Sequence, residues 1–144
     1  MSDTFIINPS FYKLDATLKK LRNYWQQTFD KNQKDITVDQ WLVMENLYKH
    51  TRTTHKQLAL LTDKDITTIS RILDLLVKKG LVLRQASSDD RRKVYLELTP
   101  AGVEKYKDVR PLVLELRRTG WSGLTEKDFE DLTRILDVIA HNLP

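Results

Sequence analysis

The chain has 144 residues, 40% of them hydrophobic and 31% charged, with a formal net charge of +4 and no cysteine. That length holds one domain, or one subunit of a small oligomer. The missing thiols exclude disulfides, thiolate metal sites and thiol redox sensing, and neither a long apolar run nor a basic-then-apolar leader points to a membrane or secretion, so a cytoplasmic protein is expected.

Phe11, Leu14, Leu18, Leu21, Trp25 and Phe29 recur in steps of three and four, which predicts a helix from Ser10 to about Asp30 with one apolar face. Thr37 with Gln40 has capping-box spacing, opening a short helix whose inner side is Trp41, Met44, Leu47 and Tyr48. Thr54 with Gln57 repeats the box before Leu58-Ala59-Leu60-Leu61. Asp65 then caps a helix over Ile66–Lys79, with Ile69, Ile72, Leu73 and Leu76 on one side and Gly80 as its stop. Leu81–Arg84 and Val94–Leu98 read as two short strands joined by a polar loop, a β-hairpin whose tip carries Arg91 and Arg92. Thr99-Pro100 starts another helix, continued by Tyr106, Val109, Leu112, Val113 and Leu116, and Pro111 within it is expected to kink it. Gly120–Gly123 reads as a loop, and Thr125 with Asp128 caps a last helix built on Phe129, Leu132, Ile135, Leu136 and Ile139.

Two short helices, a turn, a helix and a hairpin make a winged helix-turn-helix, mainly α with a small β wing. Turned through about 100° per residue, the helix from Ile66 gathers Thr67, Arg71, Asp74 and Lys78 opposite its apolar side, with Thr68 and Ser70 flanking. In such folds the N-terminal side chains of the second helix reach base edges in the major groove. Thr67, Thr68, Ser70 and Arg71 have the donors, acceptors and methyl groups for that work. A merely solvated helix face is the competing reading of those four alone; the neighbouring wing arginines favour DNA. Asp74 would repel phosphates, and Arg71 or Lys78 at helical spacing is expected to neutralise it. Lys78, Lys79 and Arg84 are expected to meet the phosphate backbone or simply to keep the lobe soluble.

The run Thr68-Ile69-Ser70-Arg71, then Lys79-Gly80-Leu81-Val82, then Asp90-Arg91-Arg92 to Leu98-Thr99-Pro100-Ala101-Gly102 resembles the MarR family of transcriptional regulators. The resemblance implies a single domain over 1–144, with a DNA-binding lobe at 36–100 and dimerisation helices at 5–30 and 103–144. It implies that Asp90 braces Arg92 by an ion pair, that Arg92 enters the minor groove and that Arg91 meets backbone or solvent. The expected partners are double-stranded operator DNA, near-palindromic, and a second copy of the chain. Many members respond to small aromatic compounds, and Tyr24, Trp25, Trp41, Met44, Tyr48 and Tyr106 are candidates to line such a pocket, although for each taken alone core packing is the stronger expectation. No cofactor or metal is expected, since His50, His55 and His141 show no helical pairing. Nor is an enzyme: no metalloprotease HExxH, phosphate loop or GxSxG is present. The remaining alternative is a winged-helix module that uses its hairpin on protein or RNA, and the sequence leaves repressor and activator open.

Overall fold

The computed structural model describes residues 10–90 and 92–144. Among them are six helices and one hairpin: α1 Ser10–Lys31, α2 Val38–Lys49, α3 His55–Thr62, α4 Ile66–Lys78, β1 Val82–Ala86, β2 Val94–Leu98, α5 Pro100–Trp121 and α6 Glu126–Asn142. None of these helices is long and apolar enough to cross a membrane. The chain divides into two compact units at Pro111–Leu112, a division through which α5 runs.

In the first unit, side chains near each helix start fix where the helices begin. Thr37 and Thr54 each accept a hydrogen bond from the backbone N–H three residues on, at Gln40 (3.0 Å) and Gln57 (3.2 Å), and the side-chain oxygens of those glutamines accept the threonine backbone N–H in turn. First-turn N–H groups that lack helical partners are thereby satisfied. The core between the helices is Phe29, Trp41, Met44, Leu58, Ile69, Leu73 and Leu76, all essentially inaccessible to solvent. At the end of α4, Gly80 takes φ of +75°, a left-handed turn that a side chain resists, and the chain reverses into β1. β1 and β2 pair antiparallel with Val82 opposite Leu98 and Ala86 opposite Val94. A third, one-residue strand completes the sheet: Thr53 exchanges backbone hydrogen bonds of 3.1 and 2.8 Å with Leu96. No sequence pattern announces it, because a single bridge has no periodicity.

Where the wing returns to the helices, Thr99 caps α5. Its hydroxyl accepts the Gly102 N–H at 3.0 Å and donates to the Gly80 carbonyl at 2.6 Å, while its own N–H reaches the Leu81 carbonyl at 3.1 Å. A Cβ at position 102 would stand 2.1 Å from the Leu81 carbonyl oxygen, so only glycine admits this approach. α5 then runs unbroken past Pro111 and on through Gly120 and Trp121, two residues expected in the following loop. The turn is shorter than expected, beginning at Ser122, with Gly123 at φ of +83°.

The second unit holds the end of α5 and α6, which opens on the expected Thr125–Asp128 capping box. Trp121 meets Phe129 edge-on at 5.2 Å. No residue of α6 is buried: Phe129, Leu132, Ile135 and Val138 stand 41–52% exposed. The stripe on α1 divides likewise. Trp25 and Phe29 bury, whereas Phe11, Leu14, Leu18 and Leu21 stay open.

Candidate nucleic-acid interface

α4 starts where Asp65 accepts the Thr68 N–H at 2.7 Å. That backbone hydrogen bond is the main reason the Asp65 carboxyl lies below the ordinary range, so the cap stays ionised. With Ile69, Ile72, Leu73 and Leu76 buried, Thr67 and Arg71 face solvent and Thr68 and Ser70 lie half-exposed at the edges. Arg71 enters no salt bridge among the described residues; at longer range its charge helps keep Asp65 ionised.

The neutralisation of Asp74 differs from expectation. Neither Arg71 nor Lys78 pairs with it; the Arg84 guanidinium does, from β1. Strand β1 packs against α4, which brings together residues ten apart that neither helical nor strand spacing would join. Arg84 is therefore held by a carboxylate rather than left for phosphates. Lys79 is also held inward: its ammonium donates to the Asp35 carbonyl at 2.6 Å and to the Gln40 side chain at 3.3 Å. Lys78 remains exposed.

Small polar side chains fold the wing tip. The Ser87 hydroxyl accepts the N–H groups of Asp89 (3.2 Å) and Asp90 (3.3 Å), and Asp90 accepts the backbone N–H of Arg92 at 3.0 Å. These are the local turns that serine and aspartate form in place of regular pairing. The brace between Asp90 and Arg92 thus runs through the backbone, not through the ion pair that the resemblance implied, and the Arg92 side chain is left exposed. Arg91 lies outside the described residues.

Between the wing and the start of α3 lies a hollow of about 500 Å³ lined by Thr54, His55, Lys56, Arg84, Arg92, Lys93 and Val94. Burial, and then the Arg84 charge, hold the His55 imidazole below its usual pKa, with Asp74 pulling the other way. Sequence reading missed this gathering because its members come from α3, β1 and the wing tip. Nearby, Arg52 adopts φ of +60° and lays its guanidinium over the Tyr95 ring at 4.9 Å, a cation–π contact that ties the loop before α3 to β2.

The aromatic candidates pack on one another. Tyr106 is sandwiched between Trp41 (4.9 Å, 4° between planes) and Tyr48 (4.0 Å, 16°), and Trp25 meets Phe29 at 6.4 Å. Trp25, Trp41, Met44 and Tyr106 are buried, while Tyr24 and Tyr48 are 49% and 43% exposed. The Trp41 indole N–H is buried without an acceptor among the described residues. Among those residues no group of His, Asp and Glu could hold a metal ion.

The profile of the MarR family matches residues 36–94. A curated relative, the HTH-type transcriptional repressor IacR of Pseudomonas putida, is 27% identical over 109 residues, covering 76% of this chain; the matched stretch spans only 65% of that relative's length. Among solved structures, a MepR–DNA complex of S. aureus superposes with a TM-score of 0.81 at 23% identity, covering 92% of this chain and 96% of that one. BpsR of Bordetella bronchiseptica, whose DNA binding is regulated by 6-hydroxynicotinic acid, gives 0.80 at 20% identity over 90% and 91%. The two superpositions show the shared fold.

Proposed function

We propose that this chain, whose residues 36–94 match the MarR family, is a winged helix-turn-helix transcriptional regulator of that family: a homodimeric, cytoplasmic repressor that grips a near-palindromic operator and releases it on binding a small aromatic effector. One observation carries the DNA reading: α4 offers Thr67 and Arg71 to solvent beside a wing whose Arg92 has no acidic partner among the described residues. In this reading Thr67, Thr68, Ser70 and Arg71 contact base edges and Arg92 enters the adjacent minor groove, where a narrow A·T-rich groove concentrates negative potential. Asp90 shapes the tip that aims it.

Dimerisation is supported by the open apolar stripes on α1 and α6, which a second copy would cover. Two-fold symmetry then sets half-sites about 10 bp apart, or a multiple of it. The effector reading draws support from Trp41, whose buried N–H an acceptor-bearing aromatic ligand would satisfy, with Tyr24 and Tyr48 as the exposed aromatic edges. Repression follows the sense of the P. putida relative.

The decisive experiment selects bound duplexes from a random pool with the purified protein and fixes its mass by sedimentation. A near-palindrome bound by a two-chain species is expected. A single-chain species without preference among duplexes sinks the proposal.

A further inference from the structure

Four cationic side chains, Lys56, Arg84, Arg92 and Lys93, share the hollow between the wing and the start of α3 with one imidazole, His55. Of the four, Arg84 is paired, with Asp74 on α4; Lys56, Arg92 and Lys93 have no acidic partner among the described residues. Asp74 pulls the His55 imidazole toward its charged form and Arg84 from β1 pushes against it, while Lys56 from α3 and Arg92 and Lys93 from the wing tip line the same hollow. A site so composed disfavours a further positive charge when empty and favours it once an anion enters. No hydrogen bond within the described residues ties up the imidazole, which leaves a ring nitrogen free to donate.

We propose that this hollow seats a phosphodiester of the DNA backbone and that His55 takes up a proton as it does so, making the grip on DNA tighten as pH falls. The inference rests on the DNA-binding reading and adds a regulatory property to it. Neutral in the free protein at pH 7, His55 would become a charged donor to the phosphate in the complex. By linkage, each unit by which DNA raises the imidazole pKa gives up to a tenfold gain in affinity per hollow across the pH range between the free and bound values. Base readout by α4 is unaffected, so the property belongs to all duplexes alike.

The test measures fluorescence anisotropy of a labelled duplex of about three helical turns at pH 6, 7 and 8 and fixed ionic strength, with the wild-type chain, His55→Gln and His55→Lys. Wild-type affinity is expected to rise several-fold more from pH 8 to pH 6 than that of His55→Gln, with His55→Lys as flat as His55→Gln but tighter at pH 8. Equal slopes for wild type and His55→Gln overturn the inference while leaving DNA binding intact; absence of duplex binding at any pH instead removes the reading on which it rests. Imidazole NMR supplies the direct readout: the His55 pKa is expected to move up on adding duplex. If inorganic phosphate moves it and duplex does not, the hollow takes free anions and the assignment to DNA fails.

Discussion

Arg71, Arg84 and Arg92 are chemically identical, yet their surroundings give them different expected roles. Arg71 and Arg92 are exposed with no carboxylate holding them among the described residues, and each is expected to contribute directly to DNA affinity. Arg71→Ala and Arg92→Ala should each weaken binding to the proposed operator by about 1–3 kcal/mol in a gel shift, with the protein still folded. Arg84 works by a different route. It cancels Asp74 on the very helix that is to approach phosphates, so Arg84→Ala exposes a repulsive charge as well as removing a cation. Arg84→Ala should therefore bind DNA more weakly, and adding Asp74→Asn to it should restore part of the loss. Additive effects in that double-mutant cycle, with no recovery, would show that the pair does not act as a unit.

Elements in this chain are joined by a few polar contacts whose removal has separable consequences. Asp39 at the start of α2 receives Arg22 from α1 at 2.5 Å and Lys64 from the turn before α4 at 3.0 Å. Burial pushes the Asp39 carboxyl up, but the hydrogen bonds and charges of those two cations outweigh it and hold it below the ordinary 3.8. A lowered folded-state pKa means this stabilisation is complete above the unfolded value and is lost as pH falls through the folded one. Acid unfolding followed by circular dichroism should thus show a smaller loss of stability below about pH 4 for Asp39→Asn than for the wild type. Gly102 is a steric joint instead: Gly102→Ala forces α5 away from the Leu81 carbonyl and should cost about 1–3 kcal/mol in denaturant unfolding, independent of pH. How legible these elements were depends on the range of the cause. Thr37, Thr54, Asp65 and Thr125 act within three residues, so each helix start could be read directly. Thr67, Arg71 and Arg92 were readable as an exposed set because helical geometry and a hairpin tip dictate exposure locally. Arg84–Asp74, Lys79–Asp35 and the His55 hollow were not, since each depends on how separate elements pack. The aromatic set shows the opposite failure. Helical spacing puts Trp41 and Tyr106 on inner faces, but nothing in that spacing says that the two rings stack on each other.

For the whole molecule the question is how many charges act together. The chain brings Lys56, Arg71, Lys78, Arg92 and Lys93 to the proposed DNA side without an acidic partner among the described residues, while Lys79 and Arg84 are tied to other groups of the lobe. Each phosphate neutralised releases counterions and steepens the fall of affinity with salt, by about 0.9 in the double-logarithmic slope. Even two contacts per complex give a loss on the order of tenfold between about 50 and 200 mM salt, and a dimer doubles whatever one subunit supplies. Leu132 and Ile135 on α6 are 41% and 45% exposed, and no residue of α6 is buried, so charges there should break the proposed dimer without unfolding the lobe. Leu132→Glu with Ile135→Glu should sediment as a single chain, and its salt slope on a fixed duplex should be half that of the wild type. An unchanged slope from a single-chain variant would mean that one subunit makes all the phosphate contacts, and the two-fold arrangement on the operator would have to be abandoned. A flat slope in the wild type would move the wing to a protein or RNA partner.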